Sequence, residues 1–249
     1  MKRIFVYLIG LFLIISCGLY PEAIAKKSKT PITKQKIEFA TKDKYLLVGD
    51  LYLANPAGNK PLVVMLHSFG MNSKVWKDLA ETLRQRGYNC LAMDIRGHGR
   101  SIYTEQLKIK SRYKFTSNDW QKLPNDVLES IKYVKSNYSK INTDDIYFIG
   151  ADIGGSAGLI AGQSLKNKPE KFVLISPMIN FKGLYIPVIV ANYTTTKFFV
   201  LLAKTDKVLF NFYTKPAPIT KVYPQGGPGN HILKVNPTSL DDIVEFIIN

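Results

Sequence analysis

Short apolar runs alternate with helical patterns along most of the chain after residue 36. The run at 62–66 is continuously apolar, which is typical of a strand buried on both faces of a sheet. An amphipathic helical pattern follows at 75–83, and Gly87 is its stop signal. The alternation then repeats. The predicted strands are 37–41, 45–53, 62–66, 90–93, 146–149, 172–175, 198–202 and 219–223.

The order of these elements predicts an α/β fold. The first two strands flank a short turn at 42–44 and form a hairpin, and most of the others are separated by helices. Such alternation implies an eight-stranded, mostly parallel sheet with right-handed crossovers and helices on both faces. No break in composition divides the region 37–249, so we expect it to be a single domain.

The first 25 residues are predicted to be a targeting segment. Lys2 and Arg3 precede an apolar run at 4–16, which is short for a bilayer span but typical of a signal-peptide core. An Ala-Ile-Ala sequence at 23–25 offers a cleavage site. The residues ending at Cys17 resemble a bacterial lipoprotein signal, in which the cysteine is acylated.

An uncleaved membrane anchor is the third alternative for this segment. We expect export to the periplasm or cell envelope, with membrane association through a lipidated Cys17. A polar linker is predicted at 26–36, between the targeting segment and the domain.

Composition excludes several classes of protein. The chain has 249 residues and 46% hydrophobic residues, which is too apolar for a disordered protein. Cys17 and Cys90 are the only cysteines, so a disulfide scaffold and a cysteine-based zinc site are excluded. The three His form no spaced ligand motif, and we expect no metal and no cofactor. The net charge is +15, but the basic residues are spread along the chain and predict no nucleic-acid partner.

Chemically competent residues follow the ends of the predicted strands. In parallel α/β sheets, ligands bind at the carboxyl ends of the strands, so these positions are the candidates for a site. They are the segment 67–70, the segment 94–101, the segment 150–155, Asp206 and His231.

Two of these segments resemble motifs of the α/β-hydrolase superfamily. They are Asp-x-Arg-Gly-His-Gly-x-Ser at 94–101 and Gly-Ala-x-Ile-Gly-Gly at 150–155, with Ser-Pro downstream at 176–177. The resemblance runs from about residue 36 to the end and is closest to small, lid-poor esterases of the dienelactone-hydrolase type. It implies the α/β-hydrolase fold and hydrolysis of a small-molecule substrate. The connection at 178–197 is too short for a full cap domain.

The chain departs from the superfamily at the nucleophile elbow. This Gly-x-Ser-x-Gly turn projects a serine above the sheet, but Asp152 stands at that position here. Gly150 and Gly154 are both present, so we expect the turn to form with a carboxylate at its apex. A second frame centred on Ser156 also reads Gly-x-Ser-x-Gly. Ser156 is the weaker candidate nucleophile because the elbow must follow directly on the strand.

An aspartate at the elbow also occurs in haloalkane dehalogenases and epoxide hydrolases. The resemblance implies that Asp152 attacks a saturated carbon and that a His-activated water hydrolyses the alkyl ester formed. Those relatives usually carry a tryptophan after the nucleophile, where this chain has Ile153, and they have a cap domain.

The rest of the expected machinery follows from the same resemblance. His231 is the candidate base after the last strand, and Asp206 is its orienting partner after the seventh strand. The backbone N–H groups of Phe69 and Ile153 are the expected oxyanion hole. We expect His67 to be a structural, hydrogen-bonding residue.

Three functions remain open from the sequence. The first is an exported hydrolase acting on a small ester-like or related substrate through Asp152. The second is a catalytically inactive homologue that binds a ligand or a partner protein. The third is a serine hydrolase that uses Ser156.

Overall fold

The computed structural model describes residues 33–55, 59–204 and 218–249. Within these ranges, only the backbone of residues 187 and 188 is described. The predicted targeting segment, Cys17 and Asp206 lie outside the described residues. Most of the predicted linker does so too, but its last three residues belong to the first strand.

The strands form one large sheet and one small hairpin. They are β1 (Lys34–Ala40), β2 (Tyr45–Tyr52), β3 (Pro61–Leu66), β4 (Cys90–Asp94), β5 (Tyr103–Thr104), β6 (Asn142–Ala151), β7 (Lys171–Ile175), β8 (Asn180–Phe181), β9 (Leu184–Tyr185), β10 (Lys197–Ala203) and β11 (Ile219–Tyr223). The order in the large sheet is β1-β2-β4-β3-β6-β7-β10-β11, and β5 pairs with β2. Strands β8 and β9 pair with each other.

The sheet is parallel except at one side. Strands β1, β2, β4 and β5 meet in antiparallel pairs, whereas every pair from β4 through β3, β6, β7 and β10 to β11 is parallel. The eight predicted strands are all confirmed. The two-residue strands β5, β8 and β9 were not predicted, because two residues are too few to show a periodic pattern.

Helices cover both faces of the sheet. They are α1 (Lys77–Gln85), α2 (Ser117–Gln121), α3 (Leu123–Asn137), α4 (Ile153–Gln163), α5 (Pro187–Ala191), α6 (His231–Val235) and α7 (Thr238–Ile248), with short 3-10 turns at Ser73–Trp76 and Arg112–Lys114. No helix within the described residues is long and apolar enough to span a membrane.

Two hydrophobic cores explain the apolar runs of the sequence. One core joins the sheet to α3 and α4 through residues such as Val127, Ile131 and Leu159. The other joins its opposite face to α1 and α7 through residues such as Leu79 and Ile243. Central strands such as β3 are buried on both faces, so successive residues must all be apolar. The chain therefore has the predicted architecture, with its candidate site at the carboxyl ends of β3 and β6.

Candidate active site

Asp152 occupies the apex of a sharp strand-to-helix turn. Strand β6 ends at Ala151, α4 begins at Ile153, and Asp152 between them has φ 51° and ψ −119°. A positive φ is strained for a residue with a side chain and persists only where the surroundings enforce it. The predicted elbow therefore forms with a carboxylate in place of the serine hydroxyl.

The flanking glycines make this turn possible. A Cβ on Gly154 would lie 2.4 Å from the carbonyl oxygen of Leu66, and a Cβ on Gly150 would lie 2.5 Å from the Cα of Gly155. These contacts are with backbone, which cannot swing aside. Helix α4 can therefore approach β3 and β6 only because both positions lack a side chain.

The Asp152 carboxylate is hydrogen-bonded to the groups expected to form the oxyanion hole. Its Oδ2 accepts a hydrogen bond from the backbone N–H of Phe69 at 3.1 Å. The backbone N–H of Ile153 also hydrogen-bonds to the carboxylate. The other oxygen, Oδ1, is buried and has no hydrogen-bond partner among the described residues. The structure therefore brings together Asp152, Phe69 and Ile153.

The surroundings of Asp152 oppose its negative charge. The residue is only 8% exposed, and burial raises the pKa of its carboxyl to about 6. The hydrogen bonds from Phe69 and Ile153 act in the other direction, because N–H donors favour the carboxylate. At neutral pH the carboxyl is ionised, but its pKa lies closer to neutrality than that of an exposed aspartate.

Asn230 also contributes to the wall of the site, and the sequence did not predict this residue. Its Oδ1 accepts a hydrogen bond from the backbone N–H of Ser68 at 2.8 Å, and its own N–H donates to the Ser68 hydroxyl at 3.3 Å. Gly229 packs so closely here that a Cβ on it would lie 2.3 Å from the Cβ of Ser68. The Asn230 Nδ2 is buried without a hydrogen-bond partner among the described residues. No motif marks Asn230, and only its place beside His231 could have drawn attention to it.

His231 lies at the surface and takes no part in the hydrogen bonds found around Asp152. His231 is the first residue of α6 and is exposed, while the preceding Asn230 points inward. Within the described ranges, no hydrogen bond joins the His231 ring to Asp152. Asp206 is outside those ranges, so the predicted pair of His231 and Asp206 stays a prediction.

His67 supports the loop that carries Phe69. Its Nε2 accepts from the backbone N–H of Ile95 at 2.9 Å, which leaves Nδ1 to donate to the carbonyl of Ser68 at 2.8 Å. Burial lowers the pKa of His67 to about 4, so the ring is neutral at neutral pH. This placement fits the structural role that the sequence suggested. His98 is also buried, and burial lowers its pKa to about 4.

Aromatic side chains form an apolar wall beside the elbow. The Phe69 ring is 42% exposed and lies 5.9 Å from the ring of Trp120 and 5.6 Å from that of Phe181. Trp120 comes from α2 and Phe181 from β8. The Arg112 guanidinium lies 5.5 Å from the centre of the Phe69 ring. This wall suits an uncharged, apolar substrate group.

Ser156 lies where a nucleophile is difficult to reach. It is fully buried in the first turn of α4, and its hydroxyl has no hydrogen-bond partner among the described residues. Its backbone N–H donates to the carbonyl of Asp152 at 3.2 Å, which places it one turn beyond the apex. Its burial argues against the alternative in which Ser156 attacks a substrate. The described residues also contain no group of three or more His, Cys, Asp or Glu that could hold a metal ion.

The strand order, the crossovers and the strained elbow together define an α/β-hydrolase. Residues 57–223 match the model of the serine aminopeptidase S33 family, and the chain belongs to this family. It is therefore a hydrolase by class, although its elbow carries Asp152 rather than a serine. The finer resemblance to dienelactone-hydrolase-type esterases stays a prediction. No curated protein matches the chain.

Solved structures show the same fold at low sequence identity. An esterase from Pyrococcus furiosus superposes with a TM-score of 0.65 at 19% identity, covering 86% of this chain and 89% of that one. An esterase from Exiguobacterium antarcticum gives a TM-score of 0.60 at 13% identity, covering 85% and 99%. A hydrolase from Pseudomonas aeruginosa gives 0.61 at 14% identity, covering 86% and 98%.

Proposed function

We propose that this hydrolase uses Asp152 as a nucleophile against a saturated carbon of a small, apolar substrate. The observation that carries the proposal is the unequal treatment of the two carboxylate oxygens. Oδ2 is held by the Phe69 N–H, whereas Oδ1 has no hydrogen-bond partner among the residues that the structure describes. An oxygen without hydrogen bonds keeps its electron pairs for attack on an electrophile.

The geometry suits both steps of such a reaction. In the first step, Oδ1 forms a bond to the carbon, and the leaving group, a halide or an epoxide oxygen, takes the electron pair of the bond that breaks. Oδ2 then becomes the carbonyl oxygen of an alkyl ester. In the second step, water attacks this carbonyl, and negative charge develops on Oδ2 beside the N–H groups of Phe69 and Ile153. Collapse breaks the bond between the carbonyl carbon and the alkyl-bearing oxygen, which leaves in the alcohol with one proton of the water. The water's oxygen stays in the restored Asp152 carboxylate, and its second proton passes to solvent.

Ordinary ester hydrolysis by Asp152 is disfavoured for two reasons. Attack of a carboxylate on an ester carbonyl gives a reactive anhydride. In addition, the donors that would stabilise the substrate's oxyanion already hydrogen-bond to the Asp152 carboxylate. Alkyl electrophiles give an ester rather than an anhydride, and displacement of a halide at a saturated carbon also creates no oxyanion in the first step.

The exposed position of His231 bears on the relative rates of the two steps, alkylation of Asp152 and hydrolysis of the alkyl ester. The His231 ring is exposed and makes no hydrogen bond to Asp152 among the described residues, so it is not held in place to activate water at the ester. Because Oδ1 is enclosed by protein, the neighbouring side chains must also move to admit a substrate. We therefore expect small substrates to be favoured and the alkyl-enzyme to accumulate.

Intact-protein mass spectrometry tests the proposal. The purified protein is incubated with a short-chain haloalkane, an epoxide or an aryl ester. We expect a mass increase of one alkyl group with the haloalkane or one whole epoxide with the epoxide, located by peptide mapping at Asp152. The adduct should be absent from Asp152→Asn and present in the matched control Ser156→Ala.

Two results would contradict the proposal. One is the absence of adduct and of turnover with every electrophile, in protein shown by circular dichroism to be folded. The other is ester turnover that survives in Asp152→Asn, which would assign the chemistry to a different residue.

We also propose that the protein is exported and acylated at Cys17. The support is the basic start of the chain, the apolar run at 4–16 and the position of Cys17 directly after it. Mass spectrometry of the N-terminus after bacterial expression is the test. An acylated Cys17 is expected, a start at Lys26 would favour cleavage after the Ala-Ile-Ala sequence, and an intact Met1 would contradict both.

A further inference from the structure

A groove of about 540 Å³ lies at the end of the sheet opposite Asp152. It runs between α7 and the last two strands of the sheet. Residues that line it include Lys171, Lys197, Phe199, Ile219, Lys221 and Phe246. Its volume is in the range of sites for small molecules.

The strand register explains why these side chains share a face. Lys171 pairs with Lys197 across β7 and β10, and Phe199 pairs with Ile219 across β10 and β11. Paired residues point to the same side of a sheet, as do residues two apart along a strand. Helix α7 packs on this face through Ile243 and other apolar residues, and the groove is the part between α7 and the edge strand.

Lys171 is the unusual residue of the groove. It is 4% exposed, and its ammonium donates a hydrogen bond to the carbonyl of Ile247 at 3.0 Å. The rings of Tyr147 and Phe246 lie 5.3 and 6.0 Å from it. No ion pair found among the described residues includes Lys171. Burial lowers its pKa, because an ammonium is costly to remove from water without a counter-charge.

The other charges of the groove compensate this cation only in part, because the Glu170 carboxylate acts to raise the pKa of Lys171 but forms no ion pair with it among the described residues. Lys197 faces Glu170 at 4.0 Å, in an exposed and loose pair. The Asp242 carboxylate accepts hydrogen bonds from the Lys221 ammonium and the Tyr223 hydroxyl. Glu245 is exposed and also lines the groove. The groove thus combines an unpaired buried cation with apolar side chains.

We propose that this groove binds an amphipathic anion, namely a carboxylate with an aliphatic chain. The carboxylate contacts the ammonium groups of Lys171 and Lys197, and the chain lies along Phe199, Ile219 and Phe246. Lys171 begins β7 and Asp152 follows the far end of the neighbouring β6, so this site is separate from the elbow. The inference does not depend on the chemistry of Asp152.

Titration calorimetry with decanoate below its micelle concentration tests the inference, with decanol as the uncharged comparison. We expect one saturable decanoate site on the full chain. Lys171→Met should weaken decanoate at least tenfold and leave decanol nearly unchanged, and Lys171→Arg should retain most of the affinity. Glu245→Gln should strengthen decanoate binding, because it removes a like charge from the groove.

Two further variants keep the test decisive if Lys171→Met misfolds. Ile219→Glu changes a residue that is 61% exposed, so it should keep the fold while repelling the anion. Lys234→Met, on an exposed lysine of α6, is the matched control and should leave binding unchanged. Absence of a saturable decanoate site, or equal affinities in the full chain, Lys171→Met and Ile219→Glu, would overturn the inference.

Discussion

Asp152 meets two demands that oppose each other. Nucleophilic attack requires an ionised carboxylate with a free oxygen, and the Phe69 and Ile153 N–H groups stabilise that form. Burial beside apolar groups favours the neutral acid. Its effect is larger than that of the hydrogen bonds, so the pKa of the carboxyl rises to about 6. The charged form is thus kept at neutral pH at the expense of stability, as is common at functional sites.

A pH-dependent gain in stability should follow from Asp152→Asn. The folded-state pKa of about 6 exceeds the ordinary aspartate value of 3.8, so the folded state binds more protons than the unfolded state between these values. The wild type therefore loses stability as pH rises through this window, whereas the variant does not. The stability difference between variant and wild type should grow by about 2.5 kcal/mol from pH 4 to pH 8.

Urea unfolding at both pH values measures this difference. Asp78→Asn, which removes an exposed carboxylate from α1, is the control and should change the difference by well under ~1 kcal/mol. A difference for Asp152→Asn that is the same at pH 4 and pH 8 would show that the buried carboxylate is not destabilised by its surroundings.

At the scale of elements, the elbow shows what a sequence can and cannot predict. Gly150 and Gly154 in their spacing after an apolar run predicted the turn, because only residues without Cβ allow the helix to approach the strand. The inward position of Asn230 and the outward position of His231 were not predictable. They depend on the exact start of a five-residue helix, which short-range patterns do not define.

The same limit applies to the carboxylate itself. The sequence predicted the N–H groups of Phe69 and Ile153 as donors to a substrate oxyanion. It did not reveal that the Asp152 carboxylate itself accepts from them, because that depends on a side-chain torsion within a folded site. The elements were thus predictable from periodicity, whereas the contacts within the site depend on the folded, three-dimensional arrangement of the side chains.

Gly154→Ala should distort the elbow more than the addition of a single methyl group would suggest. The added Cβ would lie 2.4 Å from the Leu66 carbonyl oxygen and 2.6 Å from that of His67, so α4 must move away. We expect a loss of about 1–3 kcal/mol in the free energy of unfolding and loss of alkylation at Asp152. Denaturant unfolding and intact-mass analysis provide the two measurements.

Gly227→Ala is the matched substitution for this experiment. Its Cβ would meet nothing nearer than the His231 ring at 3.5 Å, which is ordinary contact. Its stability should change by less than about 0.5 kcal/mol. Equal effects of the two substitutions would contradict the argument that crowding at the elbow requires glycine.

At the scale of the whole molecule, Arg96 connects three distant parts of the chain. It is 2% exposed and donates to Asp126 of α3 at 2.7 Å and to Asp43 of the β1–β2 turn at 2.7 Å. Burial alone would lower the pKa of Arg96, but the two carboxylates raise it above its ordinary value. The antiparallel edge of the sheet is thereby tied to the helix that covers it.

Arg96→Met should destabilise the protein by about 3–5 kcal/mol, because it leaves the buried Asp126 without a counter-charge. The double variant Arg96→Met/Asp126→Leu should recover a large part of this loss, since both buried charges are then removed. Thermal and urea unfolding of the single and double variants measure the coupling. Lys135→Met, which breaks an exposed pair with Asp144, should have almost no effect. Additive losses in the double variant would contradict the proposed coupling.

The occupied oxyanion position also determines how this protein responds to chemical labelling. Fluorophosphonates, the reagents commonly used to detect hydrolases of this fold, transfer phosphorus to an elbow serine and place an anionic oxygen between the two N–H donors. Here the elbow offers no hydroxyl, and the Asp152 carboxylate already accepts from the donors. A proteome survey with such reagents would therefore miss this protein, whereas an alkylating electrophile matched to a buried carboxylate would detect it.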